Sequence, residues 1–210
     1  MPAARLQGQA PEAVTPKGDN LKAAIFDIET SSLDAIGAGV LLCAVVRPLG
    51  KRETVFRADE MNCRYGQEQP LVDAVTAELN QYDLLIGHFV SGFDIPWLRS
   101  RAIYFGTTQL KRVFVYDTMK AFRRLGYKTV PNHFGKPSAG LAHVVDFFGE
   151  DQQKTGIYPR AHWDVIWADE ERRKEAMGDL VNHCSADVRM NEKIYNRLLP
   201  LDERAVIRRL

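Results

Sequence analysis

The sequence predicts an α/β fold. Short apolar runs typical of buried strands alternate along the chain with helical hydrophobic patterns, and Gly or Pro separates many of these segments. Hydrophobic residues make up 45% of the 210 residues, which is enough for a sizeable core. Since single domains often reach about 250 residues, we expect one domain at residues 21–210. Residues 1–20 are rich in Ala, Pro, Gln and Gly and lack periodicity, so we interpret them as a flexible tail.

The first half of the domain is predicted to consist mainly of strands. The strands are expected at residues 21–30, 40–46, 53–57 and 83–86, with a turn at residues 47–51. A helix is expected at residues 71–79, where apolar side chains recur at helical spacing after Pro70.

The second half of the domain is predicted to be mainly helical. Helices are expected from residue 93 or 94 to about 105, at 119–125 and at 141–148, with a short strand at 113–117. The final helical stretch is expected at about residues 168–199, with a break near Gly178. Residues 129–140 contain two Pro and two Gly and are interpreted as a loop, and residues 150–163 as another polar connection.

The first predicted strand ends in the acidic pair Asp27 and Glu29. A strand alternates its faces, so these two carboxylates point the same way and Ile28 points into the core. Two neighbouring carboxylates on a buried strand repel each other. A divalent cation such as Mg²⁺ or Mn²⁺ explains the pair, because these ions prefer oxygen ligands. The other interpretation of the same tripeptide is the polar face of a half-exposed strand.

Two further acidic sites occur later in the chain. Asp94 lies at a predicted helix start, where a carboxylate can also simply complement the positive end of the helix dipole. In the last helix, His183 and Asp187 are four residues apart and therefore share one face. That face can equally be a solvated one, because charged residues follow directly.

Together these segments resemble the DEDD superfamily of 3′–5′ exonucleases, most closely the proofreading domain of family B DNA polymerases. The likeness spans about residues 21–200. In that family the motifs are a strand ending in Asp-x-Glu, then Phe-Asp before an apolar helix, then Tyr-x-x-x-Asp. The corresponding residues here are Asp27 and Glu29, Phe93 and Asp94, and His183 and Asp187. The resemblance implies a ribonuclease-H-like fold, in which a mixed central sheet carries helices on both faces.

Two positions depart from the family pattern. Phe89 stands where the family usually has an Asn that touches the terminal nucleotide, and His183 stands where it has a Tyr. A sister subgroup that uses His places it one residue further from the Asp, and that position here is Asn182. The departures affect substrate binding and the group that activates water. The four carboxylates of the family pattern are all present.

The resemblance implies a metal-dependent 3′–5′ exonuclease that hydrolyses single-stranded nucleic acid from its 3′ end, with DNA favoured and RNA as the second candidate. Two Mg²⁺ or Mn²⁺ ions would be held by Asp27, Glu29, Asp94 and Asp187. His183 would orient the attacking water or accept its proton. The residues implied to lie near the terminal nucleotide are Thr30, Leu33 and Phe93. A polymerase or another nucleic-acid enzyme is a candidate partner in trans.

Composition limits the classes of function. The formal net charge is only +1, so any nucleic-acid groove must be local. Cys43, Cys63 and Cys184 lack metal-finger spacing, which indicates reduced thiols in a reducing, cytoplasmic compartment. No apolar run approaches the about 20 residues of a membrane span, so no membrane partner is expected. The candidate local basic groups are Arg99, Arg101, Lys111, Arg112, Arg123, Arg124, Lys128 and Lys136.

Two other functions are compatible with the sequence. A catalytically weak nucleic-acid-binding module would keep the fold, although such a module has no reason to gather four repelling carboxylates. A mononuclear iron site built from His88, His183 and Asp94 would leave the other acidic residues unexplained.

The remaining distinctive residues are given structural roles. Asp117 ends a predicted strand and is interpreted as a helix cap. Core or helix-packing positions are expected for Trp97, Trp163 and Trp167. No chemistry is assigned to His133, His143 and His162.

Overall fold

The short apolar runs of the sequence form a six-stranded mixed sheet. The computed structural model describes residues 21–126, 130–131, 137–150, 157, 160–202 and 208–209. The tail predicted at residues 1–20 lies outside these ranges. The strands in chain order are β1 (Ala23–Thr30), β2 (Leu41–Pro48), β3 (Thr54–Arg57), β4 (Leu84–Gly87), β5 (Phe114–Asp117), β6 (Val130–Pro131), β7 (Pro137–Ser138) and β8 (Arg208–Arg209).

The strand order in the sheet is β3-β2-β1-β4-β5-β8. β1, β2 and β3 pair as an antiparallel meander, β4 runs parallel to β1, β5 runs parallel to β4, and β8 is antiparallel at the edge. β6 and β7 form a separate hairpin. Because β1, β4 and β5 are parallel, the residues that follow these three strands meet at one end of the sheet.

The helices of the described chain are α1 (Gln69–Leu79), α2 (Asp94–Phe105), α3 (Thr118–Arg124), α4 (Leu141–Phe147), α5 (Ala161–Trp167) and α6 (Glu170–Leu198). Pro70 lies in the first turn of α1, where its missing amide proton costs no hydrogen bond. α2 ends at Gly106, whose φ of 64° gives the left-handed cap that favours glycine.

Helices cover both faces of the sheet. The side chains at residues 41–46 of β2 are all fully buried, which requires cover on each side of this central strand. α6 packs on β1 and β2, and α1 packs on β2 and β3. The predicted fold, a mixed central sheet with helices on both faces, is confirmed.

The region around α5 and α6 differs from the sequence prediction. α5 lies partly in the segment interpreted as a polar connection. Ala168, with extended backbone, separates it from α6, and Asp169 caps α6 by accepting from the amide of Arg172 at 3.0 Å. The break expected near Gly178 was wrong, because α6 runs through this residue without interruption. Its buried stripe continues on both sides, and this burial outweighs the low helix propensity of glycine.

Two short pairings were not predicted. Residues 129–140, interpreted as a loop, contain the hairpin of β6 and β7. β8 adds an edge strand beside β5. Each of these strands has two residues, too few for an alternating pattern to show. In the described ranges no helix has both the length and the apolar composition needed to cross a membrane.

Candidate active site

Four carboxylates from three elements meet near the carboxyl end of β1. Asp27 and Glu29 lie on β1, Asp94 is the first residue of α2, and Asp187 lies on α6. Their proximity is evident because the charges of the other three all raise the pKa of Asp27. The structure therefore brings together the residues that the sequence analysis proposed as metal ligands.

Hydrogen bonds fasten α2 and α6 to β1 at this point. The amide of Ile28 donates to Oδ1 of Asp94 at 3.3 Å, and the thiol of Cys184 donates to the carbonyl oxygen of Asp27 at 3.3 Å. The Ile28 side chain is buried, as the strand alternation predicted, so the two acidic side chains of β1 point to the opposite face. Through this bond Cys184 on α6 holds β1 in position, a role that the sequence did not indicate.

Gly87 lets the second motif approach β1 closely. A Cβ at this position would lie 3.0 Å from the carbonyl oxygen of Phe26 and 2.8 Å from Cβ of Val90. Any larger residue would therefore push the end of β4 away from β1. The glycine is required by this packing rather than by its backbone angles.

Burial and mutual repulsion raise the pKa values of two of the carboxyl groups. Burial is the main cause for Asp94 and raises its pKa to about 7, with the charge of Asp117 adding to the rise. The pKa of Asp27 is raised well above its usual range, first by burial and then by the neighbouring carboxylates. Ionising this cluster is therefore costly in the absence of a cation.

The donor set fits a divalent cation. Carboxylate oxygens are the ligands that Mg²⁺ and Mn²⁺ prefer, and a bound cation lowers the cost of ionising Asp27 and Asp94. Among the described residues, no three acidic, His or Cys side chains already stand in a metal-ligand arrangement. The described side chains are therefore not arranged as a preformed ligand set, and Glu29 is held by His162.

His183 lies between two of the carboxylates. Its Nε2 is 3.9 Å from Oε1 of Glu29 and 3.9 Å from Oδ2 of Asp187. The contact with Asp187 follows from the four-residue spacing on α6. The side chain is partly exposed, so water reaches it.

A second histidine, His162 on α5, also contacts the site. Its Nε2 lies 3.1 Å from Oε2 of Glu29, and because a carboxylate only accepts, this nitrogen carries the proton. The sequence analysis assigned His162 no chemistry and missed this contact. No spacing rule links residues 29 and 162. The available signal was the helical spacing of the buried residues Ala161 and Val165 around the histidine.

An apolar cavity of about 190 Å³ lies beside the second motif. Leu33 and Ile36, both strongly exposed, line it together with Phe93 and Trp97. The indole Nε1 of Trp97 donates to the carbonyl oxygen of Ser32 at 3.2 Å, which fastens the loop at residues 31–40 to α2. Two of the three residues proposed to lie near the substrate therefore line one cavity.

Thr30, the third of these residues, ends β1 just after an irregularity in the strand register. Its hydroxyl donates to the carbonyl oxygen of Ser32 at 2.9 Å. The hydroxyl proton is thus used to stabilise the start of the loop that carries Leu33. Its oxygen lone pairs and its backbone are the groups left for a nucleotide.

Phe89 adopts an unusual backbone conformation beside the second motif. Its φ of 61° lies in the left-handed region, which Asn adopts more readily than Phe. The ring is 42% exposed and covers Gly92, where a Cβ would lie 2.3 Å from Cε2 of the ring. The Asn of the family pattern would suit this backbone angle better than Phe, and Phe adds an aromatic face there.

His88 and Asp117 have structural roles. Nε2 of His88 lies 2.7 Å from the carbonyl oxygen of Ala139, and Nδ1 lies 3.0 Å from Oγ1 of Thr118. Because both ring nitrogens are engaged, this geometry disfavours the iron site considered above. Asp117 caps α3 by accepting from the amide of Lys120 at 3.1 Å, which confirms the prediction for this residue.

Two of the candidate basic groups are used inside the fold. Arg101 is buried and pairs with the buried carboxylate of Glu68. Arg124 pairs with Asp202. Lys128 and Lys136 lie outside the described residues. Fewer of these basic groups are therefore available to nucleic acid than the sequence suggested.

Comparisons with known proteins point to the same fold. A family model described as RNase_H superfamily matches residues 24–199. The solved structure of the family B DNA polymerase from the hyperthermophilic archaeon Pyrobaculum calidifontis is similar, with a TM-score of 0.64 and 20% sequence identity over 86% of this chain. The chain spans 25% of that polymerase chain, and at this identity the likeness shows a shared fold. No curated protein matches the sequence.

Proposed function

The chain belongs to the RNase H superfamily, and from this premise we propose that it is a metal-dependent 3′–5′ exonuclease. The fold is of nuclease type, and nucleases of this superfamily usually use divalent metal ions. In this proposal the enzyme hydrolyses phosphodiester bonds from the 3′ end of single-stranded nucleic acid, with DNA favoured over RNA.

The observation that carries the proposal is the convergence of four carboxylates at the end of β1. Burial and repulsion make this cluster costly to ionise, as the raised pKa values of Asp27 and Asp94 show. A phosphodiester is itself anionic, so it approaches such a cluster only when cations lie between them. A protein that merely binds nucleic acid gains nothing from this arrangement.

The proposed ligands of two Mg²⁺ or Mn²⁺ ions are Asp27, Glu29, Asp94 and Asp187. When bound, the ions neutralise the charge that develops on the phosphate and favour deprotonation of the attacking water. No ligand is supplied by a neutral side chain, which suits hard cations.

Two histidines act on this centre from opposite oxygens of Glu29. His162 donates from Nε2 to Oε2, which fixes one oxygen of the carboxylate and orients the other. His183 has Nε2 near Oε1 and orients the attacking water or accepts its proton there. His183 is thus proposed as a catalytic residue, and His162 as a positioning residue.

The terminal nucleotide is proposed to bind at the apolar cavity beside the second motif. Leu33 and Phe93 pack on the base or sugar, and Thr30 contributes its backbone or its hydroxyl oxygen. The cavity, at about 190 Å³, is smaller than the about 300–1,000 Å³ of ordinary ligand pockets. It therefore accommodates one base or sugar, and the rest of the strand lies on the surface.

The partner and location of the enzyme are also part of the proposal. The similarity to a polymerase structure motivates a polymerase or another nucleic-acid enzyme as a partner in trans. Cys43, Cys63 and Cys184 are buried free thiols, which fits the reducing cytoplasm.

Digestion of 5′-labelled oligonucleotides tests the proposal. Single-stranded DNA, single-stranded RNA and duplex DNA are incubated with the protein and Mg²⁺ or Mn²⁺. We expect a ladder that shortens from the 3′ end, fastest on a single strand. Immediate release of a labelled mononucleotide would show attack from the 5′ end instead. Binding without cleavage in both metals would favour the binding module.

Variants of the carboxylates supply the matched controls. We expect Asp27→Ala and Asp187→Ala to abolish cleavage while the fold survives, because removing one of several repelling carboxylates relieves strain. Glu175→Gln, at an exposed position of the same helix as Asp187, should cut at the wild-type rate. Full activity in either Asp variant would contradict the four-carboxylate assignment.

A further inference from the structure

Two tryptophans on α5 are exposed, contrary to the core or packing positions expected for them. Trp163 is 54% and Trp167 is 62% exposed, and their four-residue spacing places them on one side of the helix. Trp97, in contrast, is buried as expected. Neighbouring aromatic side chains that are exposed to water often mark an interaction surface.

Tyr65 extends this surface. Its ring is stacked on that of Trp167, with the ring centroids 5.9 Å apart and an angle of 27° between the planes. Tyr65 is itself 47% exposed. We call Trp163, Trp167 and Tyr65 the aromatic strip.

Hydrogen bonds from two arginines hold the aromatic strip in place. Arg173, buried on α6, donates from Nε to the carbonyl oxygen of Val165 at 2.8 Å and from Nη2 to that of Cys63 at 2.6 Å. Arg64 donates from Nη1 to the carbonyl oxygen of Ile166 at 3.2 Å. These bonds join the loop that carries the tyrosine to α5. The rings are therefore positioned before a ligand arrives, which lowers the entropy lost on binding.

The aromatic strip begins next to the candidate active site. His162, which contacts Glu29, directly precedes Trp163 on α5. Trp167 lies about 6 Å further along the helix axis. A single nucleic-acid strand with its 3′ end at the carboxylates would therefore run from Trp163 towards Trp167. The distance corresponds to about two nucleotides at the 3.4 Å rise of one stacked strand.

Positive charge accompanies the aromatic strip. Arg64 precedes Tyr65 and Arg160 directly precedes α5, and both residues are exposed. Proteins that bind single strands combine aromatic rings, on which bases stack, with cations that contact the phosphates. Tyr, Trp and Arg are also enriched at protein interfaces. What favours a nucleic-acid strand here is that the aromatic strip begins beside the candidate active site.

We propose that the aromatic strip is a base-stacking platform for the single-stranded segment that lies 5′ of the nucleotide being removed. The direction of the strand rests on the proposed exonuclease function. The binding itself does not, and it is measured separately from cleavage.

Fluorescence anisotropy with labelled oligothymidylates tests the platform. Binding is measured with Asp187→Ala as the background, in Mg²⁺, using a labelled ten-nucleotide strand and an unlabelled dinucleotide as a competitor. Stacking is worth about 1–3 kcal/mol per base, so Trp163→Ala and Trp167→Ala should each weaken decamer binding by about 5- to 150-fold. Dinucleotide binding should stay unchanged in Trp167→Ala, because so short a ligand does not extend beyond Trp163.

Conservative and distant substitutions serve as controls. Trp163→Phe and Trp167→Phe keep an aromatic face and should retain most of the decamer affinity. Tyr104→Ala removes a ring of the same 62% exposure from α2 and should change nothing. Melting temperatures establish that each variant is folded.

The outcomes separate this proposal from that of the exonuclease. Unchanged decamer affinity in both Ala variants overturns the platform, whatever the cleavage assay shows. Weakened decamer affinity with a wild-type protein that cuts nothing supports the platform and overturns the exonuclease. If the Ala variants instead turn a dimer into a monomer and bind the decamer normally, the strip is a contact between copies and the proposal is wrong.

Discussion

His183 stands where the family pattern has a tyrosine, so an imidazole takes the place of a phenol. His183→Ala should lower turnover by about 10²–10⁴-fold, the usual worth of a general base, and leave oligonucleotide affinity nearly unchanged. His183→Tyr should restore part of the rate. Turnover, affinity and melting temperature are measured on the same variants.

A packing role for His183 makes the opposite prediction. The Ala variant would then lose stability and keep its turnover per folded molecule. An unchanged turnover number in a folded variant would remove His183 from the mechanism.

His162 acts through Glu29 rather than on the substrate. His162→Ala frees one carboxylate oxygen, and loss of such a supporting hydrogen bond typically costs about 10–100-fold in metal affinity or activity. We expect a higher Mn²⁺ concentration for half-maximal rate, measured by metal titration of cleavage. His162→Gln, which can still donate, should recover part of the loss. Equal metal dependence in the Ala variant and the wild type would show that the contact is incidental.

The sequence identified the four carboxylates because each lies in a strongly patterned segment. Asp27 and Glu29 follow an apolar run within β1, Asp94 opens α2, and Asp187 lies on a long helix. Residues that act through tertiary contacts carry no such signal. His162 and Cys184 reach β1 across more than a hundred residues of chain, so only the folded structure reveals them.

Among the elements, α6 offers the cleanest test of stability. Gly178 lies in its interior, and a Cβ there would meet no atom within 4 Å. Gly178→Ala should therefore raise the free energy of unfolding by about 0.5–1 kcal/mol, since glycine loses more backbone entropy than alanine in a helix. Urea denaturation measures the change, and activity should be unaffected.

Gly106→Ala is the matched control for this substitution. Its position also has open space around it, but its φ is 64°. Alanine is strained in that region, so this variant should be less stable than the wild type. If both variants change stability in the same direction, backbone conformation does not explain the effect at either site.

α5 is the element that the sequence analysis missed, and the miss has a physical cause. Its polar and charged upstream neighbours favoured a connection. The spacing of Trp163 and Trp167 indicated a shared side, but spacing alone does not distinguish a buried side from an exposed one.

For the whole molecule, the acidic cluster makes stability depend on pH. The pKa of Asp94 rises from 3.8 in the unfolded chain to about 7 in the folded protein. Near pH 4 and below, the folded protein holds this carboxyl protonated at little cost. As the pH rises from about 4 to about 7, the unfolded chain releases this proton while the folded protein retains it, so stability is lost, and the loss levels off above about pH 7.

Asp94→Asn removes this dependence, because the amide mimics the protonated acid. In metal-free buffer the variant should be more stable than the wild type at pH 8, by at most about 4 kcal/mol, and similar near pH 4. Urea denaturation between pH 4 and 8 measures the difference, and added Mg²⁺ or Mn²⁺ should reduce it. A difference that is constant across this range would mean that Asp94 ionises normally in the fold.

The positions of β1 to β5 could be predicted because their apolar runs are well separated, and the class of fold followed from the resemblance of the three motifs. Strand ends shifted by only one or two residues, as at β2 and β4. What could not be predicted are two-residue strands, the exposure of aromatic side chains and the left-handed backbone of Phe89. Each of these is set by contacts with distant parts of the chain.

The hydrogen bond from Cys184 to the carbonyl oxygen of Asp27 has a consequence for synthesis of the chain on the ribosome. The two residues are 157 positions apart, and β1 is synthesised long before α6. At about 5–20 residues per second, Asp187 is synthesised roughly 8–30 s after Asp27. A nascent chain therefore lacks a complete acidic centre until α6 has been made. Any activity begins only when α6 has been made and has docked against β1.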